Sequence, residues 1–303
     1  MAWPSLRLCL PARQIDKTMT TPSTILVATD GREQSDGAIR AGALFAGNGT
    51  AWRIVSVVPP LPPVSAELDL HIGTEVRDAS RDERRRVVQE QLRRVMSQAS
   101  KVDVDVRSGN AADIVCRVAT EWGAKLIVTG LGRHRLVDRL LADETTLHII
   151  RSAQTPVLAV PPEFSRAPQT AIVGVDFSET SMHAAQLALQ MVRGAATVYL
   201  ANVAPREDVL SLATNAGATY EARAMTKLQQ LADELEPPKF VHLQPVVRKG
   251  DSGTALLSYA ADTQSELIAV GTRGLGLVSR LLVGSVATKV IRAATIAVLT
   301  VPA

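Results

Sequence analysis

The sequence predicts an α/β protein made of two tandem, doubly wound, parallel five-stranded sheets. Three observations lead there. Short β-branched runs alternate with helical segments along the 303 residues, the pattern of βαβ crossovers with right-handed connections. Aromatics make up only 3% of a chain that is 46% apolar, so aliphatic side chains must fill the interior. That composition suits a parallel sheet covered by helices on both faces. The second half also repeats the first: Asp30 matches Asp176 at an offset of 146, and Gly130 matches Gly271 at an offset of 141.

The elements follow in order. The unbroken run Ile25–Ala28 opens a strand near 24–29, and a short polar turn leads to a helix over 33–47. A second strand is expected near 52–58. Asp82, Glu83, Arg84, Arg85, Arg86 and Glu90 mix charge signs at helical spacing, which reads as an exposed helix over 77–99. A strand near 102–106 follows. Ile114, Val115 and Val118 give the apolar stripe of a helix over 111–122, then come a strand near 125–129, a helix near 143–151 and a closing strand at 156–160. The second half repeats the scheme, with strands near 170–175, 196–203, 240–247, 266–270 and 296–301. Its helices fall near 179–193, 214–235, 253–263 and 284–292. From Gly130 and Gly271 the register runs without gaps to Arg151 and Arg292.

This divides the chain into a unit at 20–162, a proline-stiffened linker at 163–169 and a unit at 170–303. Residues 1–19 have no counterpart in the second half. They read either as a disordered extension or as a product of start-site choice, with Met19 just before the first strand. Arg7, Pro11 and Arg13 interrupt their short apolar patch and make a poor signal peptide. No apolar run reaches the roughly 18–20 residues of a membrane span. The two cysteines, Cys9 and Cys116, lack metal-ligand spacing, so a reducing, cytoplasmic setting is expected. The net charge is +3, and no aromatic residues interleave with Arg84–Arg86, which argues against a nucleic-acid surface.

The chemistry concentrates in one stretch. Gly271-Thr-Arg-Gly274, nine further residues and Gly284-Ser285 follow a strand and open a helix. Glycines let the backbone approach an anion, and the free N–H groups of the first helical turn point at it. In a doubly wound sheet ligands sit beyond the carboxyl ends of the strands, where strand order reverses. Asp176, Val203, Gly250 and Gly271 end or follow the four strands that meet there. Milder explanations exist: Asp176 as a helix cap or turn residue, Gly271 and Gly274 as turn glycines, Ser285 as a cap.

The spacing Gly-x2-Gly-x9-Gly-Ser, the aspartate that ends each first strand and the doubled five-strand unit together resemble the universal stress protein family, in its tandem form. The likeness runs from about Ser23 to Val301, and the fold it implies is adenine nucleotide alpha hydrolase-like. The resemblance implies bound ATP, with or without Mg2+. Asp176 would lie near ribose and adenine, and Val203 would offer backbone groups to the adenine edge. Val270 and Gly271 would line the ribose, and Arg273 and Gly274 would border the phosphates. Gly284, Ser285 and Val286 would present the helix start.

The first copy departs from this pattern. Arg133 replaces the second glycine, and Asp143-Glu144 replace Gly-Ser. A carboxylate at a helix start satisfies its orphan N–H groups and repels phosphate. One nucleotide per chain is therefore expected, in the second half. His134 reads as a loop histidine. The functions left open are a nucleotide-dependent sensor or regulator, a slow ATP hydrolase, and an interaction module. No Gly-x4-Gly-Lys-Ser/Thr loop supports a dedicated ATPase. The apolar terminal strands 156–160 and 296–301, read as sheet edges, invite pairing with a second chain or, within one chain, with each other.

Overall fold

The computed structural model describes residues 22–47, 49–60, 72–96, 102–132, 142–205, 216–273 and 284–303. The first half comprises β1 (Thr24–Ala28), a 3-10 turn at Glu33–Ser35, α1 (Asp36–Ala46), β2 (Ala51–Val58), α2 (Ile72–Val95), β3 (Asp103–Ser108), α3 (Ala111–Trp122), β4 (Leu126–Gly130), α4 (Ala142–Ser152) and β5 (Val157–Val160). The second comprises β6 (Thr170–Gly174), α5 (Glu179–Met191), β7 (Ala196–Ala204), α6 (Ala216–Glu234), β8 (Val241–Lys249), α7 (Ser252–Asp262), β9 (Leu267–Gly271), α8 (Ser285–Ala293) and β10 (Ala297–Val301).

Both halves are wound as expected, but the two sheets are one. Ten strands run in the order β3-β2-β1-β4-β5-β10-β9-β6-β7-β8. Every pairing within a half is parallel. The halves meet through the antiparallel pair β5 and β10, with Leu158 opposite Leu299. Of the two pairings expected for these terminal strands, the one within the chain is formed, and the reading of them as edges is corrected by it. Each has a neighbour on both sides within the chain, and β3 and β8 form the edges instead. The cause is burial: β5 and β10 are buried along their whole length. Covering one leucine side chain is worth about 1.5–3 kcal/mol, which each strand would forgo at an edge.

Alternation along the strands divides the interior into two layers. Ile25 and Val27 join a core with Ile39 and Phe45 of α1, Val88 of α2, Ala184 of α5 and Leu228 of α6. Leu26 and Ala28 face the other way, with Val115 of α3, Ile150 of α4, Leu256 of α7 and Ile291 of α8. Each layer runs through both halves, so the molecule is a three-layer sandwich with the sheet in the middle.

The linker is docked on both halves. Arg40 of α1 donates to the carbonyls of Phe164 and Pro162, and Phe164 packs 6.2 Å from the Phe45 ring. At its far end Arg166 pairs with Glu266, which also accepts from the Gln169 N–H at 2.7 Å. The arginine cluster of α2 is likewise a brace. Arg84 donates to the Asp30 carbonyl and Arg85 to the Val104 carbonyl, while Arg86 pairs with Glu83.

Candidate functional site

The strand order reverses between β6 and β9 in the second half, and the candidate residues gather at the carboxyl ends of these strands. Gly174 pairs with Val270 on one side and Ala201 on the other. Asp176, Thr272 and Val203 each lie two residues beyond those partners, at one mouth. The Asp176 carboxylate Oδ1 accepts the Ser178 N–H at 3.0 Å and the Ser178 hydroxyl. Ser178, rather than Asp176, caps α5, accepting from the Ser181 N–H. Asp176 is thus the turn residue that leads into the cap.

The strand end and the two helix starts are tied together. Thr180, in the first turn of α5, donates to the Arg273 carbonyl at 2.6 Å. The Gly284 N–H donates to the Thr272 carbonyl at 2.7 Å, so both ends of the 273–284 connection are pinned. Gly271 is fixed by a close approach: a Cβ there would lie 2.5 Å from Thr180 Oγ1. That requirement comes from α5 and recurs in the first half, where a Cβ on Gly130 would lie 2.9 Å from the Gln34 carbonyl oxygen. Val270 is buried under the site and Val203 is half-buried. Gly250 follows β8 at φ +121°, a conformation that favours glycine, and its N–H donates to the Ala204 carbonyl at 3.0 Å. Gly274 lies outside the described residues.

The start of α8 differs from those of its neighbours. Asn110, Ser178 and Asp251 cap α3, α5 and α7 with side-chain oxygens. At α8 the N-cap is Gly284, with no side-chain cap and no acidic residue in the first turn. Its φ of −58° and ψ of 152° suit any residue, so the backbone does not require a glycine there. The first intrahelical bond from this end runs from the Thr288 N–H to the Gly284 carbonyl. The N–H groups of Ser285, Val286 and Ala287 precede it and have no helical acceptor. Lys289, one turn further on, bonds Asp251 at 2.8 Å and Thr254 at 3.1 Å, joining α8 to the start of α7. That ammonium, with the Thr254 N–H and hydroxyl, holds the Asp251 carboxyl well below the usual carboxylate range.

The first half is arranged differently. At the end of β1 the Thr29 hydroxyl meets Ser35 at 2.6 Å and Gln91 of α2 at 2.7 Å. The fully buried Gln91 amide also donates to the Arg32 carbonyl at 2.9 Å and to Asp36 at 2.8 Å. Asp36 is paired with Arg94 at 2.7 Å. Thr146, in the first turns of α4, donates to the Gly130 carbonyl at 3.1 Å, whereas its repeat counterpart is Ala287. Arg133, His134 and the side chains of Asp143 and Glu144 lie outside the described residues.

Asn202 and Tyr220 were not singled out by sequence. Asn202 is buried at the end of β7, donating to the Val175 carbonyl at 2.7 Å and accepting from the Tyr220 hydroxyl at 3.3 Å. An amide side chain among the apolar residues at the end of β7 was the only signal. Among the described residues no cluster of three or more His, Cys, Asp or Glu could hold a metal ion, and no helix is long and apolar enough to cross a membrane.

Two doubly wound units joined edge to edge through β5 and β10, each with its strand ends opening onto helix starts, define a tandem α/β protein of the open-sheet class. The family model described as "Universal stress protein family" matches residues 22–161 and again 168–302, and the chain belongs to that family. Among solved structures, a universal stress protein from Archaeoglobus fulgidus aligns with a TM-score of 0.65 at 17% identity. The alignment covers 94% of this chain and 98% of that one. A protein of Pseudomonas aeruginosa described as functionally unknown aligns with a TM-score of 0.59 at 16% identity, over 94% of each chain. At these identities the likeness is one of fold. No curated protein sequence matches the chain.

Proposed function

We propose that this chain is an adenine-nucleotide-binding stress protein, a sensor or regulator holding one ATP in its second half. The observation that carries the reading is the start of α8, whose N-cap glycine offers no capping side chain, which lacks acidic residues in its first turn and which is pinned to the end of β9. A helix start of this kind supplies N–H donors and a positive dipole end for a phosphate group. Ser285 and Val286 contribute the first of these donors, and Arg273 and Gly274 border the phosphates. Asp176 supplies the carboxylate for ribose, Val203 the backbone edge for adenine, and Val270, Gly271 and Gly250 the floor and far wall. Any Mg2+ is assigned to the triphosphate, since the described residues offer it no cluster of their own.

Two features of the first half support its being the silent copy: the Gln91 network that fills the end of β1, and the Thr146 tie on Gly130. The unit boundaries at 20–162 and 170–303 and a cytoplasmic setting are part of the same reading. A homodimer, if formed, is assigned to surfaces other than β5 and β10, which are already paired. The test is to purify the chain, extract it with acid and identify co-purified small molecules by mass spectrometry. An adenine nucleotide near one equivalent is expected. An empty extract together with no binding of added ATP would overturn the proposal.

A further inference from the structure

The two halves fix the end of their first strand by different means. In the second half Asn202, only 3% exposed, donates to the Val175 carbonyl, and its Oδ1 accepts from Tyr220 of α6. A carbonyl can only accept, so the amide group must present its NH2 to Val175 and its oxygen to the tyrosine. The Val175 N–H donates to the Ala201 carbonyl at 2.8 Å, so the residue before Asp176 is held through both its backbone groups.

The repeat counterpart of Asn202 is Ser56, because Ala28 pairs with Val55 as Gly174 pairs with Ala201. Ser56 is 1% exposed, and its hydroxyl has no hydrogen-bond partner among the described residues. Thr29 stands where the second half has Val175, and Gln91 reaches it from α2. The strut through a strand-end amide therefore belongs to the second half, where the helix start with a glycine N-cap also lies.

We propose that Asn202 is a positioning residue that makes the second-half site selective for the ribose hydroxyls of a nucleotide. This rests on the nucleotide reading given above. The peptide between Val175 and Asp176 is planar, so pinning its carbonyl fixes the Asp176 N–H and the position of the Asp176 Cα, while the Ser178 N–H orients the carboxylate from there. Oδ1 of Asp176 is engaged by Ser178, and the ribose contact falls to Oδ2. Tyr220 holds the amide in its working orientation and links α6 to the sugar site. Replacing Asn202 by the serine of the first half frees the Val175 carbonyl and leaves Asp176 less firmly placed, without touching the phosphate end at α8.

The experiment titrates ATP and 2′,3′-dideoxy-ATP into the full chain as wild type, Asn202→Ser and Tyr220→Phe. Wild type is expected to prefer ATP by about tenfold or more, the worth of a hydrogen bond to a charged group. Asn202→Ser should bind both nucleotides alike, at the dideoxy affinity of wild type. Tyr220→Phe keeps the Val175 bond, so its preference should fall only part of the way, to about threefold. A merely structural role would weaken both nucleotides equally. A wild-type preference that survives in a normally melting Asn202→Ser protein overturns the proposal. If that variant does not fold, an undiminished preference in Tyr220→Phe overturns it instead. Wild type that binds ATP without a ribose preference also overturns it, and wild type that binds no nucleotide overturns the parent reading along with it.

Discussion

Gly284→Asp separates folding from binding by the sign of its effects. The native φ of −58° and ψ of 152° accept an aspartate without strain, and the position is the N-cap of α8. A carboxylate there caps the orphan N–H groups, worth a few tenths of a kcal/mol over glycine, and adds about 0.3–1 kcal/mol against the helix dipole. Stability should therefore rise by about 0.5–1 kcal/mol, or a melting point higher by about 1–3 °C. Binding should move the opposite way. A carboxylate roughly 4 Å from a phosphate charge costs about 4 kcal/mol at an effective dielectric of 20, on the order of a thousandfold in affinity. Thermal melting by far-UV circular dichroism reads the first effect, and calorimetric titration of ATP reads the second. Tryptophan emission does not serve here, because Trp3, Trp52 and Trp122 all lie in the first half. Undiminished affinity in a folded variant would refute the placing of phosphate at α8, and a large loss of stability would refute the reading of Gly284 as an unstrained, uncapped N-cap.

Further expectations concern packing and charge around the mouth. Gly271→Ala puts a Cβ 2.5 Å from Thr180 Oγ1 and 2.9 Å from Thr180 Cβ, so α5 must shift. The cost should be about 1–3 kcal/mol in urea unfolding, and wild-type stability would count against that contact. Phe177 holds a φ of 65° where its repeat counterpart is Gly31 at 82°. Both Phe177→Ala and Phe177→Gly lose the ring that Lys227 covers at 5.2 Å, but only alanine keeps the left-handed strain. The alanine variant should therefore be the less stable by about 1 kcal/mol in thermal melts, and equal stabilities would contradict the strain. The depressed carboxyl of Asp251 contributes stability above its ordinary pKa of 3.8 and loses it as pH falls below that value. Asp251→Asn should flatten that part of the acid-unfolding curve, and an identical curve would show that the Lys289 pair does not contribute.

The strands were legible because aliphatic runs such as Leu126–Val128 and Leu267–Val270 are what a doubly covered parallel sheet demands. The repeat made both halves readable at once. That β5 and β10 could meet within one chain was legible, but an apolar edge names no partner, so pairing with a second chain stood beside it until the strand order decided between them. The helix expected over 77–99 runs instead from Ile72 to Val95, because its charged sequence carries little apolar period by which to set the ends. Among site residues, Gly271 drew attention for its place in a phosphate motif, yet its immediate constraint is Thr180 of α5. Gly284 is the reverse case, a glycine that the backbone does not demand. Asn202 escaped notice because its partners, Val175 and Tyr220, are brought to it by the sheet and by α6 rather than by sequence spacing.

The central claim is an asymmetry: one nucleotide site in the second half, beside a first half whose strand end is filled by Gln91 and whose α4 is tied to Gly130. Calorimetric titration of nucleotide-free protein with ATP tests it most directly. The account predicts one molecule bound per chain in wild type and none in Gly284→Asp. Two equivalent sites per chain, or one site that persists in Gly284→Asp, would contradict it.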